Sequence, residues 1–369
     1  MADWDPFAID ASAAAPPPGR AAEAGGEGAK GRRIERADLD RLAGTIYKQS
    51  CEQRPWVRIV DPSADLSWYQ PSCTLDDWPH KDVKVETGQG IAYVTFCRPD
   101  ANNVLNSSMY AGLCDAVFLL HERKDIRCVV FSGEGKLFCG GSDPKFDGNF
   151  VTHKQSAKAE RAVNQLRERA MKAGALKNSD AGIGKLLQAK LWYAMSTLPQ
   201  FSIALVNGSA IGDGVGCLAC VDMVISVSTA FFALPEVRDG LVQCILAPYI
   251  VSKVGLGMAK AMLGSGMTFS VDQMRRAGLI SEVVDSVEAG HTKVAEICEV
   301  LTACGPRSVE AAKQLVVGVG GQPITERVMF FTAALLAMVT VSDESRDGMV
   351  CVQQKKPKPW EEKPITPLH

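Results

Sequence analysis

An α/β fold with parallel strand pairing is predicted by three features of the sequence. Short apolar runs suited to buried strands alternate with helical segments. Two glycine-punctuated turns, Cys139-Gly140-Gly141-Ser142 and Ile211-Gly212-Asp213-Gly214, each follow a short apolar strand and precede a helical stretch. From Val287 onward the pattern is almost wholly helical.

The elements follow in chain order. Residues 1–34 are rich in Ala, Pro and Gly, with too few large apolar groups to offset chain entropy, and are expected to form a disordered leader. Residues 35–80 are expected to hold a short amphipathic helix, carried by Leu39, Leu42 and Ile46, and then an extended Pro- and Trp-bearing arm. The core spans residues 81–286. It opens with a hairpin, Val83–Glu86 and Ile91–Phe96, around Gly88-Gln89-Gly90. A helix over Ser107–Arg123 and a strand over Arg127–Phe131 follow. Residues 153–192 are a charged helical insertion, read as a solvated face or a lid. Strands are expected at Ile203–Val206 and Met223–Val227, with a small-residue helix, Val215–Cys220, between them. Residues 287–369 form a C-terminal helical region.

Composition excludes several classes. A net charge of −2 leaves no basic excess for a nucleic-acid partner. No apolar run is long enough to span a membrane, and no secretory signal is visible, so a cytoplasmic protein is expected. The 12 cysteines lack a disulfide-scaffold spacing and read as reduced. Cys217-Leu218-Ala219-Cys220 has no second pair or suitable histidine, which points to core packing and to no metal. His121 and His153 are read as surface residues, and Cys244 as a thiol near the site without a histidine partner.

Glycine in the two turns allows positive φ and close approach of backbone to a ligand. A helix N-terminus adds unpaired N–H groups. Two such donors aimed at one oxygen would stabilise a developing enolate or tetrahedral oxyanion.

The wider pattern resembles the crotonase, or enoyl-CoA hydratase/isomerase, superfamily over about residues 81–358. The resemblance rests on Arg98-Pro99 with Asn103-Val104-Leu105-Asn106, on Phe138-Cys139-Gly140-Gly141-Ser142-Asp143, and on Val206 to Gly214. It continues through Ala233-Leu234-Pro235-Glu236, Ala277-Gly278-Leu279-Ile280 and Ser345-Arg346-Asp347-Gly348. The stretch Val215–Leu218 with Pro235–Leu241 is most similar to a branch resembling methylglutaconyl-CoA hydratase. The resemblance implies a spiral of ββα units with C-terminal helices that build a homotrimer or hexamer. It implies an acyl-CoA substrate, with coenzyme A as part of the substrate and no tightly bound cofactor. The oxyanion donors would be the backbone N–H groups of Ser142 and Asp213, and Glu236 would be the acid/base. Binding of the coenzyme would involve Arg98, Asn103, Gly141, Ser142, Asp143 and Gly212.

Three positions depart from the family pattern. The first of two glutamates used by hydratases falls on Gly216. The middle glycine of the second turn is Asp213, which sets a carboxylate beside a developing anion. The usual proline after Gly-Leu is Gln243, where a larger side chain could displace a water. The implied activity is therefore enoyl-CoA hydration or double-bond isomerisation with one carboxylate. The alternatives are acyl-CoA hydrolysis, against which Cys244 counts, a catalytically decayed CoA-binding scaffold, and a carrier-protein-bound substrate.

Overall fold

Two sheets and the turns between them place the candidate residues. The computed structural model describes residues 69–146 and 181–367, with isolated helical positions between 161 and 172. The expectations for the leader, for the helix near Leu39 and for most of 147–180 fall outside these residues.

The larger sheet contains β1 (Val83–Gly88), β2 (Ile91–Phe96), β3 (Cys128–Gly133), β5 (Phe201–Val206), β7 (Met223–Val227) and β10 (Glu282–Val284) in that spatial order. Only the β1–β2 pair is antiparallel. Its two-residue turn has positive φ at both Gln89 and Gly90, 33° and 83°, matching the right-handed twist of the flanking strands. The smaller sheet contains β4 (Leu137–Cys139), β6 (Ser209–Ile211), β8 (Phe231–Ala233) and β9 (Thr268–Ser270). Each of β3, β5 and β7 is followed after a short turn by a strand of the smaller sheet, which gives the ββα repeat.

The helices are α1 (Ser107–His121), α2 (Ala181–Ser196), α3 (Asp213–Cys220), α4 (Ala247–Ser265), α5 (Val271–Ala277), α6 (Val287–Thr302), α7 (Pro306–Val319), α8 (Glu326–Val341) and α9 (Asp343–Gln354). Helix α1 starts at Asn106, whose side chain accepts from the Met109 N–H. It stops two residues short of the expected Arg123. Every residue of α3 is buried, Cys217 and Cys220 included, which fits their reading as core residues.

One face of the larger sheet packs on α1, α2, α3 and the smaller sheet. The other face meets α6. Val294, Cys298 and Leu301 recur at helical spacing and lie against Cys128, Ile203, Leu205 and Ile225. That apolar stripe makes α6, expected as the start of the C-terminal region, part of the core. Helices α7 and α8 share a small satellite core around Phe331 and Leu335. Apolar side chains remain exposed on α7, α8 and α9, including Val316, Phe330, Leu336 and Val352. Among the described residues no single helix is long and apolar enough to cross a membrane; α8 and α9 pass that test only as a pair bent by 63°.

His121, read as a surface residue, is half-buried. Its Nε2 lies 2.7 Å from the Ala194 carbonyl, and burial pushes its pKa down to about 4.

Candidate active site

Strands β4 and β6 run parallel and bring the two glycine turns side by side. Gly141 has φ +97° and Gly212 φ +54°. A Cβ on Gly212 would lie 3.5 Å from the Gly141 Cα and 2.7 Å from Glu236 Oε1. The two turns and one carboxylate therefore converge, and a side chain at 212 would displace the carboxylate.

The backbone N–H groups at this point are left open by the local geometry. Leu105 forms a parallel bridge to the first turn: its N–H donates to the Gly141 carbonyl (2.7 Å) and its carbonyl accepts from the Asp143 N–H (3.0 Å). Groups alternate along an extended backbone, so the Ser142 N–H faces the opposite side. Asp213 is the first residue of α3, and first-turn N–H groups have no intrahelical acceptor. Neither N–H donates to another group among the described residues.

Glu236 sits in the short 3-10 turn Pro235–Asp239 that follows β8. Its Oε1 accepts from Gln243 Nε2 at 3.1 Å. Its Oε2 is buried and has no partner among the described residues. Burial raises its pKa above the ordinary carboxylate value, and the nearby Asp213 charge adds to this. Its own backbone N–H and the Gln243 amide oppose the shift.

Asp213 is buried, with both carboxylate oxygens occupied. Oδ1 accepts from Gln243 Nε2 at 2.6 Å, and Oδ2 accepts a short hydrogen bond from the Tyr110 hydroxyl. Burial and the Asp213 charge push the Tyr110 phenol well above its ordinary pKa, so it stays a donor. The side chains of Ser142 and Gln188 also reach the Tyr110 hydroxyl. Tyr110 stacks on Phe146 (centroids 4.6 Å apart) and meets the edge of Trp192. A bonded path thus links the first turn, through Tyr110, Asp213 and Gln243, to Glu236.

A second carboxylate from the usual helix position does not fit. A Cβ on Gly216 would lie 2.0 Å from Leu246 Cδ1. Leu246 is fully buried and fills that volume.

The residues expected to hold a coenzyme divide into two groups. Arg98 Nη1 donates to the Val104 carbonyl at 2.6 Å and lies 3.8 Å from Asp143. The Asp143 carboxylate accepts from the Lys145 N–H. Both side chains border the first turn. The Asn103 side chain has structural partners of its own. The residue is fully buried, and its side chain accepts from the Arg98 N–H and donates to the Glu134 and Leu137 carbonyls. Its amide braces the loop and is not available to a ligand.

A second polar cluster lies elsewhere. Asp115 on α1 is fully buried and accepts from Tyr69, Ser72, Cys73 and His80 of the preceding arm. Cys73, His80 and Asp115 place ligand-type atoms within 4.8 Å of one another. Those atoms already hydrogen-bond among themselves, which fits a fastener for the arm. Burial and the Asp115 charge push the Cys73 thiol up to about 12, so it is a donor here.

Comparison with known proteins decides the family. The family model described as enoyl-CoA hydratase/isomerase matches residues 86–175 and 168–363. The chain belongs to the enoyl-CoA hydratase/isomerase family. It is 26% identical over 276 residues to a putative enoyl-CoA hydratase of Thermus thermophilus, covering 74% of this chain and 98% of that protein. It is 26% identical over 277 residues to a short-chain-enoyl-CoA hydratase of Clostridium acetobutylicum, covering 74% and 95%. The crystal structure of an enoyl-CoA hydratase from Shewanella pealeana superposes with a TM-score of 0.65 at 20% identity, covering 76% of this chain and 96% of that one. The crotonase fold expected from the motifs is thereby established.

Within this enoyl-CoA hydratase/isomerase fold, sequence reasoning missed Tyr110 and Leu246. Tyr110 lies 103 positions from Asp213, beyond any local spacing rule. The available signal was a phenol in a largely apolar helical run, since a buried Tyr O–H needs a partner.

Proposed function

We propose that the chain acts on an acyl-CoA thioester by forming an enolate held between the backbone N–H groups of Ser142 and Asp213, with Glu236 as the single acid/base. A thioester makes the Cα–H acidic, and two fixed N–H donors stabilise the charge that develops on its oxygen. One buried carboxylate with a free oxygen can take a proton from one carbon and return it to another. The single observation that carries this reading is the convergence of both glycine turns on Glu236 Oε1, with Oε2 unpartnered among the described residues. Coenzyme A enters as part of the substrate, and the exposed face of the first turn, beside Arg98 and Asp143, is where it would lie.

Two observations favour a double-bond shift over water addition. Hydration needs a proton taken from water and one delivered to carbon, for which two carboxylates serve better than one. Leu246 fills the space at Gly216, and Asp213 has both oxygens engaged. The test is turnover of 3-enoyl-, crotonyl- and 3-methylglutaconyl-CoA by wild type and Glu236→Gln. Wild-type activity on 3-enoyl-CoA that the variant loses supports the reading. Equal rates for the two proteins overturn it.

The exposed apolar side chains of α7, α8 and α9 support assembly of several copies through the C-terminal helices, as a trimer or hexamer. Light scattering of the full chain gives the number.

A further inference from the structure

The positions where this chain departs from its family at 213 and 243 are 30 residues apart in sequence and bonded to each other in space. The Gln243 amide nitrogen lies 2.6 Å from Asp213 Oδ1 and 3.1 Å from Glu236 Oε1. An amide –NH2 carries two N–H donors, so each carboxylate takes one. The other Asp213 oxygen is taken by Tyr110, which fixes the Asp213 rotamer from α1. We propose that Asp213 and Gln243 form one positioning unit: Asp213 anchors the Gln243 amide, and Gln243 holds Glu236 by Oε1 so that Oε2 is the atom that carries the proton.

The inference rests on the assignment of Glu236 as acid/base and adds to it what holds that group in place. A change to Asp at a glycine position and a change to Gln at a proline position would each be unfavourable alone. Asp213 without Gln243 puts a second carboxylate beside Glu236 with nothing between them. Gln243 without Asp213 leaves a flexible side chain with one partner. Together they pair Asp213 Oδ1, Gln243 Nε2 and Glu236 Oε1 in a corner where unpaired polar groups are destabilising. The other groups facing this corner are the Tyr110 phenol, the Cys139 and Cys217 thiols, and Asp239 on the turn of Glu236 itself. Burial holds both thiols protonated, so Asp213 is the charge from another element that acts on Glu236. The raised carboxyl of Glu236 fits this arrangement, since burial and Asp213 raise it while the Gln243 amide opposes them.

The experiment reads Glu236 directly and needs no substrate. The full chain carries 13C-labelled glutamate carboxyls, the Glu236 resonance is assigned by its loss in Glu236→Gln, and its titration is followed in wild type, Gln243→Leu, Asp213→Asn and the double variant. Gln243→Leu removes the donor and is expected to shift the Glu236 titration upward by about one pH unit. Asp213→Asn removes the neighbouring charge and is expected to shift it downward. The effect of Gln243→Leu is expected to be smaller in the Asp213→Asn background, because the two act as a unit. Opposite shifts of one titration are not produced by general loosening of the fold. If Gln243→Leu does not fold, Gln243→Met serves in its place, and Asp213→Asn stands alone as a nearly isosteric change. An unmoved Glu236 titration in folded variants overturns the positioning unit. Full activity of Glu236→Gln overturns instead the assignment of Glu236, whatever the titrations give.

Discussion

Two buried corners of this molecule are each built around a carboxylate, and they treat it in opposite ways. Asp115 receives donors from Tyr69, Ser72, Cys73 and His80, so both its oxygens are saturated. Burial alone would raise its carboxyl, but the bonds from His80, Ser72 and Tyr69 outweigh it and hold the group below the usual range. Glu236 keeps one buried oxygen with no donor among the described residues, and its carboxyl is raised. The difference separates a fastener from an acid/base. A saturated carboxylate has no site for a further proton to use, whereas one with a free buried oxygen can hold a proton and release it.

The sharpest way to break the comparison is to remove the acid at each corner. Glu236→Gln keeps the size and the Gln243 contact. It is expected to lower kcat on a 3-enoyl-CoA by about 10²–10⁴-fold while leaving Tm nearly unchanged. Asp115→Ala is expected to do the reverse. It strands several donors and should destabilise the fold by about 3 kcal/mol, read by denaturant titration, with kcat retained in the folded fraction. The stability that Asp115 supplies is present above the ordinary carboxylate pKa and is lost as pH falls through its depressed folded value.

Smaller effects sharpen the same contrast. Gly216→Glu is expected to destabilise by about 1–3 kcal/mol through its clash with Leu246, and to add no hydration of crotonyl-CoA. Water addition restored by this one change would show that the corner can still hold a second carboxylate. His121 gives a third pattern, a half-buried group kept neutral. Its folded pKa is about 4, below the unfolded value of 6.5, so the unfolded chain binds a proton first as pH falls. Stability is expected to decline by up to about 1.4 kcal/mol per pH unit between those values. A His121→Gln chain should lose that slope, measured by denaturant titrations across the window.

Much of the fold was legible in the sequence because its signals are local. The Gly88-Gln89-Gly90 turn between alternating runs gives the β1–β2 hairpin, and Met223–Val227 was bounded without error. The boundary of the core was less legible. Val287 starts a helix as expected, but only its Val294, Cys298 and Leu301 stripe against the larger sheet makes α6 a core element. The candidate site was half legible. Both glycine turns and Pro235-Glu236 carry their chemistry in short motifs. Asp213 and Gln243 were visible as oddities, but not as partners, because their pairing is a tertiary contact supported by Tyr110 from another helix. Asn103 was read from its motif as a ligand contact; the three backbone partners of its side chain, which brace the loop, are tertiary contacts that the motif alone does not reveal. Asp115 carried a signal that went unused: a charged residue amid Leu113, Cys114, Ala116 and Val117 must have donors waiting for it.

The account stands on Glu236 moving a proton at Cα of a thioester bound between the two turns. Exchange of the Cα protons of a 3-enoyl-CoA in D2O, followed by mass spectrometry with wild type and Glu236→Gln, measures that step without waiting for product. The account predicts deuterium incorporation with wild type and none above the uncatalysed rate with Glu236→Gln. Incorporation at the same rate with both proteins, or with neither, would contradict it.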